Sequence, residues 1–333
     1  MNRWALSMGV SPREPLSNVA TLAAAAEAHG FEALWYIDFQ LGMKDVYAAM
    51  NVAAMATTAM HIGPSVTNLV TRHPTVTANA MAALDELTGG RAMLGIGAGW
   101  SAVYGAGGQP SKLRDISTGI DEIRQLFSGE EHDLYGARVQ LKTAQRQIPI
   151  YLAVSQPGML RMCGQKGDGA ILMGAADPQF CRWQLDHLYE GLERSGRDRS
   201  EVLVDLVVTM SCRDGEQEAL NDVRAWATSQ AATFAPWRTM PAAWEAFRPE
   251  FERAEREYHL VDHLSLHADH KQIVSDEFVR SVAIAGDEQA CIARLRELVA
   301  LDVDRITFAL LSGGRLDRMA QIAERIIPAV TSG

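Results

Sequence analysis

Basic charge is scarce in this 333-residue chain: 31 Lys and Arg stand against 41 Asp and Glu, the net charge is −10, and no basic run occurs. Nucleic-acid binding depends on clustered Lys and Arg meeting phosphates, so no nucleic-acid partner is expected. Long apolar runs are missing as well. No window approaches the ~20 consecutive apolar residues that a bilayer-spanning helix needs, and residues 1–10 lack the charged head and apolar stretch of a secretory signal. A soluble, cytoplasmic protein without a membrane partner is expected. The four cysteines, Cys163, Cys181, Cys212 and Cys291, have no CxxC spacing and read as small buried hydrophobes in a reducing compartment. The sequence also contains no low-complexity linker and no solenoid-length repeat.

What is present is apolar residue content, 47% of the chain, enough for a large core. The stretch from Ala82 to Trp100, AALDELTGGRAMLGIGAGW, holds the organising signals. A helix runs to Leu87 and stops at Thr88-Gly89-Gly90, where glycine can adopt the left-handed conformation that closes a helix. Arg91 leads into Ala92 to Ile96, an apolar run without alternation, as in a strand covered on both faces. Gly97-Ala98-Gly99-Trp100 follows as a loop with almost no side chain before the indole. Parallel-sheet enzymes bind ligands at that end of a strand.

The same rhythm continues along the chain. Strands are expected at Trp4 to Val10, Ala33 to Ile37, His61 to Val66, Ala92 to Ile96, Ile150 to Ala153, Gly169 to Met173, Val202 to Met210 and Arg305 to Leu310. Helices are expected from Pro15 to Ala28, Val46 to Ala56 with Asp45 as cap, Thr75 to Leu87, Leu113 to Phe127, Pro178 to Ser195 and Asp317 to Val330, with one opening at Pro157 and a hairpin at Asp133 to Leu141. Eight strands alternating with helices predict a (β/α)₈ TIM barrel, one domain over residues 1–333. Residues 214–301 supply more helix than one crossover needs and predict a helical insertion between strands seven and eight, near the barrel mouth. Its Trp226, Trp237, Trp244, Phe247, Phe251 and Tyr258 suit either a pocket lining or helix packing.

Three motifs in order, WYID (Trp35 to Asp38), TNLVTRHP (Thr67 to Pro74) and the Gly-Gly-Arg-strand-GxGxGW stretch, resemble the luciferase-like superfamily of flavin- and deazaflavin-dependent oxidoreductases, in its methylenetetrahydromethanopterin-reductase-like branch. The resemblance implies hydride transfer between a reduced deazaflavin (coenzyme F420) or FMN and a small organic substrate. It also implies an Asp-His pair after the second strand; here Asp38 is followed by Phe39, which can only shape or stack. By the same resemblance Ser65-Val66 is a non-proline cis peptide behind the ring. Gly97, Ala98 and Gly99 lie against the ring or a phosphate chain, and Ser155 and Gln156, with Gly174 and Ala175, hold the phosphate arm. Asp38 and a Trp100 wall are assigned to the catalytic centre, and Phe39, Arg72, Trp237 and Trp244 to substrate binding. Tight turns, a capping aspartate at Asp38 and a solvated salt bridge at Arg72 are the plain structural readings of the same residues.

Ser312-Gly313-Gly314 rivals the Ser155 segment for the phosphate. If their segment is helical, His259, His263, His267 and His270 would fall on one face; Asp262 and Asp269 would partner them more simply than a metal, lining of the substrate entrance and a plain polar face are the other readings, and no metal is expected. Two other functions stay open: an FMN-dependent two-component monooxygenase served by a separate flavin or F420 reductase, and a non-catalytic flavin-binding protein. A homodimer or higher homo-oligomer is expected.

Overall fold

A computed structural model describes residues 3–173, 175–258, 273–311 and 313–332. The chain begins with β1 (Arg3–Met8), α1 (Asn18–Ala28), β2 (Ala33–Tyr36) and α2 (Val46–Ala56). Asp45 caps α2 by accepting from the Ala48 N–H, an interaction typically worth ~1 kcal/mol. Then come β3 (His61–Pro64), β4 (Thr67–Asn68), α3 (Pro74–Thr88), β5 (Leu94–Gly97), α4 (Ser101–Gly105) and α5 (Leu113–Phe127). The α3 helix closes on Gly89 at φ +65°, the left-handed stop read from the sequence. On α5, Ile116, Ile120 and Ile123 repeat at helical spacing and are buried, so one face of the helix covers the sheet.

The antiparallel hairpin β6 (His132–Leu134) and β7 (Ala137–Val139) leads to β8 (Ile150–Val154), α6 (Pro157–Lys166), β9 (Gly169–Leu172), α7 (Pro178–Ser195) and β10 (Leu203–Cys212). After it come α8 (Glu216–Phe234), a 3₁₀ segment Ala242–Phe247, α9 (Arg248–Glu257), α10 (Asp276–Val282), β11 (Ile284–Gly286) and α11 (Glu288–Val299). β12 (Arg305–Ala309), α12 (Arg315–Gln321), a π-helical turn Ile322–Ile326 and α13 (Ile327–Thr331) end the chain.

The parallel strands run in the order β3-β2-β1-β12-β10-β9-β8-β5-β4. A bridge between Ile62 of β3 and Ala92, two residues before β5, brings the sheet round on itself, so the predicted TIM barrel is the observed fold. Three differences from the expected elements stand out. The third stave breaks: β3 pairs with β2, β4 pairs with β5, and between them Pro64 offers no ladder N–H and the Ser65–Val66 peptide is cis. The stretch before the last barrel helix contains a strand, β11, which extends the C-terminal end of β10 in parallel. The last helix begins at Arg315 and carries a π turn just before Pro328, whose ring removes a helical N–H.

Alternate residues of each strand face opposite ways. One set, including Leu6, Leu34, Leu94, Leu152, Leu206 and Phe308, packs under the surrounding helices. The other, Ala5, Ala33, Trp35, Met93, Tyr151, Ile171, Val207 and Ala309, fills the barrel. A third core belongs to the insertion, where Phe234, Trp237, Trp244, Phe247, Phe251 and Phe278 pack with Phe180 of α7.

Candidate functional site at the barrel mouth

The barrel interior is closed at its floor. Asp205 of β10 and Arg305, its register partner on β12, are 0% and 1% exposed, and the Arg305 Nε donates to Asp205 Oδ2 at 2.7 Å. The Thr307 hydroxyl and the Trp35 indole N–H donate to the same carboxylate at 2.6 and 2.9 Å. Arg305 also lies 5.4 Å from the ring centres of Trp35 and Tyr151. A buried carboxylate with three donors, one of them a cation, is well compensated, so this end of the barrel is a plug.

One step further along the strands, the inward positions are small. Ser7 and Thr209 are the register partners of Ala309, and Gly97 and Ala153 continue the inward sets of β5 and β8. A Cβ on Gly97 would stand 3.0 Å from Val66 Cγ2 and 3.2 Å from the Ala153 Cβ, so these three backbones meet at one wall of the mouth. Bulky residues at the floor and small ones at the C-terminal end leave room where parallel barrels take their ligands. The sequence reading missed Ser7 and Thr209; their signal was a hydroxyl side chain two places beyond an apolar inward one, Ala5 and Val207.

Asp38 follows β2 and is 7% exposed. Burial pushes its carboxyl above the ordinary aspartate value, Asp45 adds to that push, and the Thr67 hydroxyl and the Arg72 guanidinium oppose it. Arg72 Nε is 3.8 Å from Asp38, its Nη2 is 2.9 Å from Asp45, and the guanidinium lies 4.4 Å from the Tyr47 ring centre. Arg72 is therefore shared between two carboxylates and an aromatic face. Burial alone would raise Asp45, but the Ala48 N–H and Arg72 outweigh it and hold its carboxyl low. Phe39, 7% exposed, packs beside Gly42 and Gly105.

Gly99 sits at φ +82°, and a Cβ there would come within 2.4 Å of Val103 Cγ2 on α4 and 3.2 Å of the Asn68 Cβ. Its glycine is required by the turn and by α4, whichever ligand the loop meets. Ala98 accepts from the Ser111 N–H at 2.9 Å. Trp100 precedes α4 and its ring stands 6.4 Å from Tyr104 and 6.0 Å from Tyr258, forming an aromatic wall between the glycine loop and the insertion. Ser155 and Gln156 lie where β8 gives way to α6, whose first turn has Pro157 and no side-chain cap. That leaves N–H groups at a positive helix end. The Gln156 side chain reaches the Thr239 carbonyl at 3.5 Å.

Other expected residues lie elsewhere. Trp244 and Trp237 are 3% and 8% exposed and pack against Phe180 and Phe234, with ring centres 4.5 Å apart for Phe180–Trp244 and Phe234–Trp237. This is core packing, the plainer of the two uses open to the insertion aromatics, rather than an open substrate wall. Ala175 is buried in the same core, while Gly174 and the four histidines at 259, 263, 267 and 270 lie outside the described residues. Beside Gly313 and Gly314 a cavity of about 350 Å³ is lined by Arg213, Arg318 and Arg325. Each arginine already has a carboxylate: Asp222 at 2.8 and 3.5 Å for the first two, Glu288 at 2.5 Å for the third. At the rival phosphate position two carboxylates thus serve three arginines, with Asp317 also in the lining, and Ser312 lies outside the described residues.

Comparison with known proteins agrees with the architecture. The 5,10-methylenetetrahydromethanopterin reductase of Methanolobus tindarius is 33% identical over 200 residues, 57% of this chain and 60% of that protein, so the match spans less than two thirds of the relative. The protein of the same name from Methanopyrus kandleri is 25% identical over 350 residues, covering 97% of this chain and 98% of its own. Among solved structures, an F420-dependent secondary alcohol dehydrogenase bound to an F420-acetone adduct superposes with a TM-score of 0.79 at 17% identity, over 99% of each chain. The model of the luciferase-like monooxygenase family matches residues 3–305, and the chain belongs to that family.

Proposed function

We propose that this protein is an oxidoreductase that moves a hydride between coenzyme F420 and a small organic molecule held at the barrel mouth. The observation that carries the reading is the ring of small inward residues, Ser7, Gly97, Ala153, Thr209 and Ala309, with Asn68 Nδ2 and Thr209 Oγ1 buried there without a hydrogen-bond partner among the described residues and Asp38 Oδ2 nearby, 3.8 Å from Arg72. A planar heterocycle with polar edges fits such a lining: the apolar wall takes its face, and the orphaned atoms take its edge. Ser65, Val66, Gly97 and Ala98 would back the ring, and Ser155, Gln156 and the start of α6 would receive the phosphate arm, with Gly174 and Ala175 beyond it. When bound, the deazaflavin supplies the hydride. Asp38 orients the polar edge and can exchange a proton, and Trp100 with Tyr104 walls off water.

The coenzyme is argued from relatives named as methylenetetrahydromethanopterin reductases and from an F420-dependent glucose-6-phosphate dehydrogenase of Kineococcus radiotolerans, all of them enzymes. One observation favours a second reading, an FMN-dependent monooxygenase fed by a separate reductase: the matching family is described as monooxygenase, and a neighbour of the same fold holds FMN. Exposed Met55 on α2 and Val76 and Leu87 on α3 would supply apolar area for a homo-oligomer. Fluorescence titration of the protein with oxidised F420 and, separately, with FMN tests the choice. Saturable F420 binding at least tenfold tighter than FMN is expected; the reverse order would favour the monooxygenase.

A further inference from the structure

The four cysteines are scattered along the sequence, yet the fold makes neighbours of two of them. Cys212 is the last residue of β10, and its register partner on β11 is Gly286. Cys291 stands at the start of α11, where its N–H donates to the Asp287 carbonyl at 3.0 Å. The Cys291 thiol turns back over the junction of the two strands and donates to the Ser211 and Gly286 carbonyls, each at 3.7 Å. It therefore sits over the residue before Cys212 and over the residue opposite it. The thiols also act on each other directly: a hydrogen bond between them eases the ionisation of Cys212 and hinders that of Cys291. Both side chains pack in the layer between the barrel and its helices. Cys163 and Cys181 differ. Each is 0% exposed, donates to a carbonyl of its own, Gly169 or Ala175, and is pushed up to about 12 by burial.

Their places in the chain give the pair a use. The insertion leaves the barrel wall at Cys212 and has returned to it by Cys291, so a bond between the two sulfurs closes residues 213–290 at their base. This is the segment that sets Tyr258 against Trp100 beside the glycine loop. Access is unequal. Cys212 is half-buried and lines the cavity of about 350 Å³ beside Gly313 and Gly314, whereas Cys291 is 0% exposed. A reagent thus meets Cys212 first. Burial raises both thiols. At Cys212 the Cys291 hydrogen bond and Arg325 of the π turn work against that rise, while Glu288 and Asp287 add to it. At Cys291 the neighbouring thiol, Asp287 and Glu288 all add to it, so Cys212 is the first of the two to ionise.

We propose that Cys212 and Cys291 are a modification site, a thiol pair that a small-molecule disulfide converts reversibly into a clamp across the base of the insertion. The thiolate of Cys212 attacks one sulfur of the small disulfide, whose S–S bond breaks. One small thiolate leaves and takes up the proton that Cys212 gave up. Cys291 then loses its proton and attacks the Cys212 sulfur of the mixed disulfide, and the second small thiol departs with that proton. The protein pair gives up two hydrogens with their electrons, and the small disulfide is reduced to two thiols. Excess small thiol runs the same steps backwards.

The test equilibrates the whole native protein in mixtures of glutathione and glutathione disulfide, traps free thiols by alkylation, and reads intact mass and a peptide map. In excess glutathione disulfide the wild type should lose two hydrogens and show one link, Cys212 to Cys291, with Cys163 and Cys181 still free. Excess glutathione should restore all four thiols. Cys291→Ser should stop at one glutathione attached to Cys212, and Cys212→Ser should take up none. The rate of linking should rise with pH, because only the thiolate attacks. The linked protein should unfold at a higher temperature than the reduced one, since the bond restricts the unfolded chain over residues 213–290. Four free thiols in native wild type under excess glutathione disulfide, or a link between any other pair, overturns the proposal. A Cys212→Ser variant that takes up glutathione at Cys291 as fast as wild type forms its link overturns it as well.

Discussion

At the scale of the residue, buried charge separates two uses of carboxylates in one barrel. Asp205 accepts from Arg305, Thr307 and Trp35 at the floor, whereas Asp38 at the mouth has only a looser ion pair, Arg72 standing 3.8 Å from its Oδ2. Asp205→Ala leaves the Arg305 guanidinium buried without its nearest anion and is expected to cost roughly 3–5 kcal/mol in denaturant unfolding, with much of it recovered in Asp205→Leu/Arg305→Met. Asp38→Asn acts the other way. A carboxyl raised in the fold stabilises it fully below its unfolded pKa and loses that contribution as pH rises through the folded value. The Tm of Asp38→Asn should therefore equal or exceed that of wild type at neutral pH and lose the advantage near pH 4; a variant less stable at pH 7 than at pH 4, relative to wild type, contradicts the burial argument. Asp45 as a cap and Asp38 beyond its strand were legible in the sequence because both depend on near neighbours. The Asp205–Arg305 pair spans 100 residues and the Thr67–Tyr47 neighbourhood joins separate elements, so only the register of the closed sheet reveals them.

At the scale of the element, helices with a clear apolar period or chemically marked ends were readable almost to the residue. Leu113–Phe127 and Pro178–Ser195 match their expected spans, the second with Asp177 accepting from the Phe180 N–H and Gly196 at φ +67°. Elements set by tertiary context were not. β11 exists because β10 offers it a ladder, and α4 because Gly99 turns the chain back over Val103. The insertion aromatics illustrate the limit well: composition cannot distinguish a pocket wall from a packed seam, and burial assigns Trp244, Phe251 and Phe278 to the seam. Trp244→Ala should cost about 3–5 kcal/mol of stability, with F420 affinity in the surviving folded protein changed by less than about threefold, or ~0.7 kcal/mol. A stable Trp244→Ala variant with lost turnover would return Trp244 to the substrate site. Gly99→Ala should lower stability before it touches binding, since its new methyl meets Val103 rather than the mouth.

At the scale of the whole molecule, a barrel plugged by bulky and charged side chains at its floor and lined by small ones at its C-terminal end leaves, among the described residues, room at its mouth for the planar cofactor of the proposed function. Gly97 is the position where that claim is most exposed. Its missing side chain faces inward between Val66 and Ala153, at ordinary strand conformation, so a substitution there crowds those two side chains and the mouth without breaking a left-handed turn. The decisive measurement is the F420 dissociation constant of Gly97→Val beside that of wild type, with both proteins first shown to unfold cooperatively. The account predicts binding weakened at least about tenfold, or ~1.4 kcal/mol, in a variant that remains folded; unchanged F420 affinity in folded Gly97→Val would mean that the ring does not lie at the barrel mouth.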